Sequence, residues 1–165
     1  MKIKFLLLIF ILALSSCKKD SPKIEENSKF VKVWFDTVII VPFEAKLIIK
    51  KDNTFDYSGG ACTSSFGAKG IWRIENDTII LNSIKPKECL WTHKFGKNCT
   101  TREEIIAERD NKTIKNCEPN EDESYEIFEN EKFYIRNDTL IHKNDENENC
   151  PKSIIAFSDK EKIRK

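Results

Sequence analysis

Five cysteines, Cys62, Cys89, Cys99, Cys117 and Cys150, and two histidines, His93 and His142, are the residues whose types could do chemistry in the body of this 165-residue chain. Three chemistries compete for them. A thiolate nucleophile or redox centre needs a base or cation beside it to lower the thiol pKa. Cys62, in the glycine-flanked loop GGACTSSFG, is the thiol open to that role, and its base would have to be His93 or His142. No Cys-x-x-Cys occurs, so a thioredoxin-type couple is absent at the motif level. Cys89, His93, Cys99 and Cys117 have side chains that suit zinc, but structural zinc ligands come as close pairs, which this spacing lacks. Disulfides are the third use, and in an exported chain they are favoured over free thiols. With five cysteines, two bridges and one leftover thiol allow fifteen arrangements. Pairing Cys89 with Cys99 closes a short polar loop, and pairing Cys117 with Cys150 brackets a late hairpin. Cys62 is then the free thiol.

A sixth cysteine settles the compartment. Lys2 and Lys4 precede Phe5 to Leu14, ten uncharged apolar residues, far short of the roughly 20 that a membrane-spanning helix needs. The run is a signal h-region. Leu14, Ser15, Ser16 and Cys17 close it with a motif that resembles the lipobox of bacterial lipoproteins. The resemblance implies cleavage before Cys17, a diacylglycerol on its thiol and a further acyl chain, such as palmitate, on its amine. Burial of acyl chains contributes about 0.8 kcal/mol per CH₂, so two or three chains hold a protein on a membrane durably. The expected location is the cell envelope, the outer membrane favoured, with the domain in the periplasm or at the cell surface.

Loss of residues 1–16 removes Lys2 and Lys4 and no acid, taking the formal charge from +1 to −1. That balance gives no electrostatic case for nucleic acid. Residues 17–29 contain the acylated Cys17 and the polar stretch KKDSPKIEENSK, a flexible tether. Residues 30–165 fit a single domain, large enough to bury a real core.

The elements that must position any site are strands. From Phe30 to Leu81 apolar residues come in short β-branched and aromatic runs without a 3.6-residue period. Strands are predicted at Phe30–Phe35, Val38–Phe43, Lys46–Lys50, Thr54–Ser58, Ile71–Glu75 and Thr78–Asn82. In GIWRIENDTIILN a two-residue turn at Asn76 and Asp77 pairs Ile74 with Ile79 and Trp72 with Leu81 on one face. YIRNDTLIH repeats the phrase, pairing Ile135 with Leu140 and Phe133 with His142 about a turn at Asn137 and Asp138. In LIIKKDNTFDY a three-residue turn over residues 51–53 puts Asn53 in the left-handed conformation. Residues 101–117 admit either a short helix, from the capping box of Thr101 and Glu104, or another hairpin. Residues 118–124 and 144–149 are acidic, polar loops. Tyr125–Phe128 and Ser153–Phe157 are further candidate strands.

No GxSxG, HExxH, P-loop, dinucleotide fingerprint or EF-hand loop is present, and no cofactor or metal site is expected. Enzyme activity is therefore not expected. The phrases KKDNTFDY, GIW and NDTIIL between Lys46 and Asn82 resemble the small lipocalin-like lipoproteins of Bacteroidota. The fold expected is all-β, an antiparallel meander forming a lipocalin-like barrel or sandwich of about eight to ten strands, with one short helix at most. Such a barrel, membrane-anchored and non-catalytic, would bind a small ligand or an envelope protein. Two alternatives are a thiol-dependent envelope enzyme using Cys62 with a histidine, and an inhibitor or accessory subunit presenting Trp91 and Phe95 on a disulfide-pinned loop at residues 90–98.

Overall fold

Asparagine-led turns determine the architecture. Asn53, Asn76 and Asn137 all take positive φ, at 64°, 54° and 50°. Asparagine tolerates this backbone better than other residues with a Cβ, and it matches the twist of the flanking strands. In a computed structural model describing residues 29–38, 43–96, 102–108, 111–143 and 154–162, these turns link strands in the registers that the apolar pattern demands. Ile74 faces Ile79 and Trp72 faces Leu81. Ile135 faces Leu140 and Phe133 faces His142.

The strands are β1 (Val33–Asp36), β2 (Glu44–Ile49), β3 (Thr54–Ala61), β4 (Ser64–Glu75), β5 (Thr78–Ser83), β6 (Trp91–Lys94), β7 (Glu123–Ile127), β8 (Glu129–Arg136), β9 (Thr139–His142) and β10 (Ala156–Ser158), with one helix, α1 (Arg102–Glu108). Eight of them close an antiparallel barrel in the order β1-β2-β3-β4-β5-β8-β9-β10, β10 pairing back onto β1. This is the all-β barrel that the sequence predicts. Within residues 101–117 the helical alternative holds at α1, the capping candidate Thr101 lying outside the described residues, as do residues 39–42 of the predicted strand Val38–Phe43.

Side chains alternate in and out along each strand, so inward Trp34, Leu47, Phe55, Leu81, Phe133 and Leu140, each fully buried, make the core. Phe30 is buried beside the β2–β3 turn end of the barrel, and its carbonyl accepts the Trp34 indole N–H at 2.9 Å. Trp72 donates its indole N–H to the Lys50 carbonyl at the same end, also at 2.9 Å. A solid, hydrogen-bonded apolar plug thus fills this end.

The opposite end is built differently. The stretch GGACTSSFG is not a loop: β3 and β4 run on to a two-residue turn at Cys62 and Thr63, Ala61 pairing with Ser64. The glycines serve contact instead of turning, since a Cβ at Gly59 would collide with the Phe66 ring. Beyond the end of β5 the free edge of β4 is taken by β7, in parallel, and β6 adds to β7. Where β5 departs and β7 arrives, the Tyr125 hydroxyl fills the fork. It accepts from the Lys69 N–H at 3.2 Å and lies 2.8 Å from the Lys69 carbonyl and 2.6 Å from the Ile84 carbonyl as donor. Tyr125→Phe leaves the Lys69 N–H and the Ile84 carbonyl short of a partner, the Lys69 carbonyl keeping the Ile84 N–H at 2.8 Å, and we expect a loss of about 1–2 kcal/mol by urea denaturation. An unchanged midpoint would show that solvent replaces the hydroxyl.

The segment between β5 and β8 is fastened by Cys89–Cys117, whose Cα atoms are 6.1 Å apart. The pairing expected from spacing, Cys89 with Cys99 and Cys117 with Cys150, is corrected. After α1 the chain doubles back along β6, Thr113 N–H bonding the Leu90 carbonyl and Thr92 N–H the Asn111 carbonyl, each at 3.0 Å. Buried Thr113 completes the match, its hydroxyl donating to the Glu88 carbonyl at 2.5 Å and accepting from Leu90 N–H at 2.9 Å. That return brings Cys117 to Cys89. The 28-residue separation corresponds to about 3–4 kcal/mol of constraint on the unfolded chain in the loop-entropy account.

Candidate functional site

The non-plugged end of the barrel holds a cavity of about 480 Å³. Its walls come from the end of β1, the start of β2, the β3–β4 hairpin, β6, β7 and the approach to β10. Aromatic rings form a continuous row along it. Phe43 stacks on Phe66 at 5.7 Å between centroids, Phe66 lies 5.6 Å from Tyr57, and Tyr57 meets Phe157 edge-on at 6.3 Å. Phe55 and Trp72 are solid core, while Tyr57 lines the cavity.

Phe95 and Gly96, directly after β6, form the inner boundary. Phe95 is buried, stacked on Phe128 at 4.1 Å and edge-on to Tyr57 at 5.5 Å. Gly96 has φ 72°, and a Cβ there would lie 2.8 Å from the His142 ring. Glycine therefore satisfies both the left-handed turn and the close approach. On the far side of it His142 is buried, its Nε2 2.6 Å from Glu131 Oε2 and its ring against Phe95 and Phe133. It is a packed histidine, as its predicted place opposite Phe133 implied.

Four polar groups face this apolar space. Asp36 closes β1, and Lys162 Nζ approaches its Oδ2 to 3.9 Å and also bonds the Val38 carbonyl. His93 and Lys94 come from β6, with Lys94 Nζ 3.9 Å from Glu129 Oε2. Glu126, half-buried on β7 in register with His93, is different. Among the described residues its carboxyl has neither a hydrogen bond nor an ion pair, and burial alone pushes its pKa up to about 7. The Tyr57 hydroxyl is held well above the usual phenol range, first by burial and then by the Glu126 and Asp36 carboxylates. Strand alternation sends Glu126 to this cavity and its neighbour Tyr125 to the opposite face. Sequence reasoning missed Glu126, and its one local signal is an acid inside the apolar strand run Tyr125–Phe128.

The predicted cysteine sites are distributed elsewhere. Cys62 is an exposed free thiol at the hairpin tip, with φ 55°, and it is not part of the cavity wall that contains His93. The structure does not bring a thiol–imidazole pair together from Cys62 and either histidine. Cys89 and Cys117 are consumed by their disulfide, which removes two ligands of the zinc alternative. Among the described residues no group of three His, Cys, Asp or Glu side chains is arranged to hold a metal. Cys17, Cys99 and Cys150 lie outside the described residues. Trp91 is half-buried beneath Lys112, whose Nζ is 4.8 Å from the ring, and Phe95 is interior, so the aromatic pair is not presented to a partner.

The arrangement can enclose an apolar body and orient it with a few polar groups. No protein-family model, no curated protein and no solved structure matches this chain.

Proposed function

We propose that this protein is a lipid-anchored lipoprotein of the bacterial cell envelope that binds a small ligand in its barrel mouth without transforming it. One observation carries the binding part: an open, largely apolar cavity of about 480 Å³ with a few polar groups on its wall, a size and makeup typical of small-molecule sites. The Leu14-Ser15-Ser16-Cys17 motif supports the anchor, with the outer membrane favoured and the polar stretch after Cys17 serving as spacer. Among the described residues no thiol or hydroxyl nucleophile is paired with a histidine around the cavity, which favours binding over covalent catalysis.

Two measurements test the two halves. Intact mass of the membrane-extracted protein is expected to equal residues 17–165 plus acyl chains, and a soluble unacylated product would defeat the anchor. For the mouth, a hydrophobic dye whose fluorescence rises on burial is expected to bind at one site per chain and to be lost on Tyr57→Arg, which fills the cavity with charge. Dye binding that survives that replacement would place the ligand site elsewhere or nowhere. Far-UV circular dichroism of the variant separates loss of the site from loss of the fold.

A further inference from the structure

A half-buried carboxyl that faces an apolar cavity with no partner is costly to keep, because ionisation there forgoes water without gaining a donor. Glu126 is in that position, whereas among the described residues the neighbouring charges Asp36 and Lys94 each have an opposite charge within 4 Å. Lys162 approaches Asp36 to 3.9 Å, and Lys94, which lines the same cavity, lies 3.9 Å from Glu129. Beside Glu126 the wall is a row of rings, Phe43, Phe66 and Tyr57, whose faces carry partial negative charge and attract cations. Both Glu126 and Asp36 are close enough to the Tyr57 hydroxyl to raise it, so two carboxylates border this part of the wall. An anion entering here would meet two carboxylates.

We infer that the mouth is a site for a small organic cation, an amine or ammonium group on an apolar or aromatic body, with the Glu126 carboxylate taking the charge and the rings of Phe43, Phe66 and Tyr57 enclosing the body. The inference rests on the barrel mouth being a ligand site at all, and it adds the ligand's chemistry. The volume of about 480 Å³ lies within the range of small-molecule sites. A ligand ammonium supplies the donor that Glu126 lacks, and a charge-assisted hydrogen bond in a water-poor site is the stronger kind. The Tyr57 hydroxyl, protonated at any physiological pH, is free to accept a second ammonium N–H.

Three probes of one shape and different charge separate the possibilities: 2-phenylethylamine, 2-phenylethanol and 3-phenylpropanoate, titrated calorimetrically into the full chain in detergent at pH 8. The amine is expected to bind at least tenfold more tightly than the alcohol, and the carboxylate most weakly. In Glu126→Gln the advantage of amine over alcohol is expected to collapse to within about twofold. Amine and alcohol binding equally well, or an advantage that persists in the variant, overturns the cation assignment while leaving the mouth as a ligand site. Tightest binding of the carboxylate overturns it in the other direction. If none of the three binds, both the cation assignment and the mouth-binding proposal fall. The variant removes an uncompensated charge from the wall, so its folding is not at risk.

Discussion

Phe95→Ala is expected to destabilise the barrel by about 3 kcal/mol. Large aromatic truncations in cores cost about 3–5 kcal/mol, the spread depending on how far the vacated space collapses or fills. Phe95 is buried and meets four rings, with centroids 4.1 Å from Phe128, 5.5 Å from Tyr57, 5.8 Å from Phe133 and 5.4 Å from His142. Two of those contacts, Phe128 and Phe133, belong to the descending chain of β7 and β8, and Tyr57 belongs to β3. One ring therefore ties the inserted strand β6 to the barrel. Because its site borders the mouth, the vacated volume opens onto solvent-accessible space and is not left as a sealed void, which puts the cost at the low end of the range. Urea denaturation measures the loss. Amide exchange gives an independent check, since β6 is expected to lose protection earlier than the β4–β5 hairpin, whose register owes nothing to Phe95. A loss below 1 kcal/mol with unchanged exchange in β6 would mean that the disulfide and Thr113 hold the insertion without the ring.

What could be read from the chain beforehand, and what could not, follows from the range of the interactions involved. Asn53, Asn76 and the Asn137–Asp138 pair are local signals, because left-handed φ is a property of single residues, and a two-residue loop then fixes which side chains face each other. Hence Trp72 opposite Leu81 and Phe133 opposite His142 were legible. The extension of β4 back to Ser64 was not, since Gly59, Gly60 and Gly67 mimic a loop in composition while Gly59 is glycine because the Phe66 ring lies over it. Nor was Cys89–Cys117, which depends on α1 turning the chain so that residues 111–113 run beside residues 90–92. Contacts of that separation carry no local signature. Glu126 was hidden for the same reason: among 27 acids, only the three-dimensional placement of β7 against the mouth sets it apart.

The same placement makes Glu126 a measurable burden on the empty protein. Its folded-state pKa is raised to about 7 from an ordinary 4.5. Between those two values the folded protein holds a proton that the unfolded chain has released, so stability declines as pH rises through this window and stays reduced above it. Below about pH 4.5 both states are protonated and the penalty vanishes. Each pKa unit corresponds to about 1.4 kcal/mol, and partial solvation of a carboxyl at an open cavity discounts the full span to on the order of 2 kcal/mol. Groups facing Glu126 are the Tyr57 hydroxyl from β3, Asp36 from β1, and His93 and Lys94 from β6. Glu126→Gln keeps the shape and removes the charge. The variant is expected to match the parent near pH 4 and to exceed it by on the order of 2 kcal/mol at pH 8, with the gap opening between pH 4.5 and 7. Denaturant titrations of both proteins at pH 4, 6 and 8 read this directly, since contributions from titrating groups not coupled to Glu126 cancel in the difference. A gap that is constant with pH would show Glu126 ionising as an ordinary surface carboxylate, and the cost that a cationic ligand is inferred to relieve would not exist. The opposite slope, a parent protein more stable than the variant at pH 8, would show that a cation within the chain already answers the carboxylate.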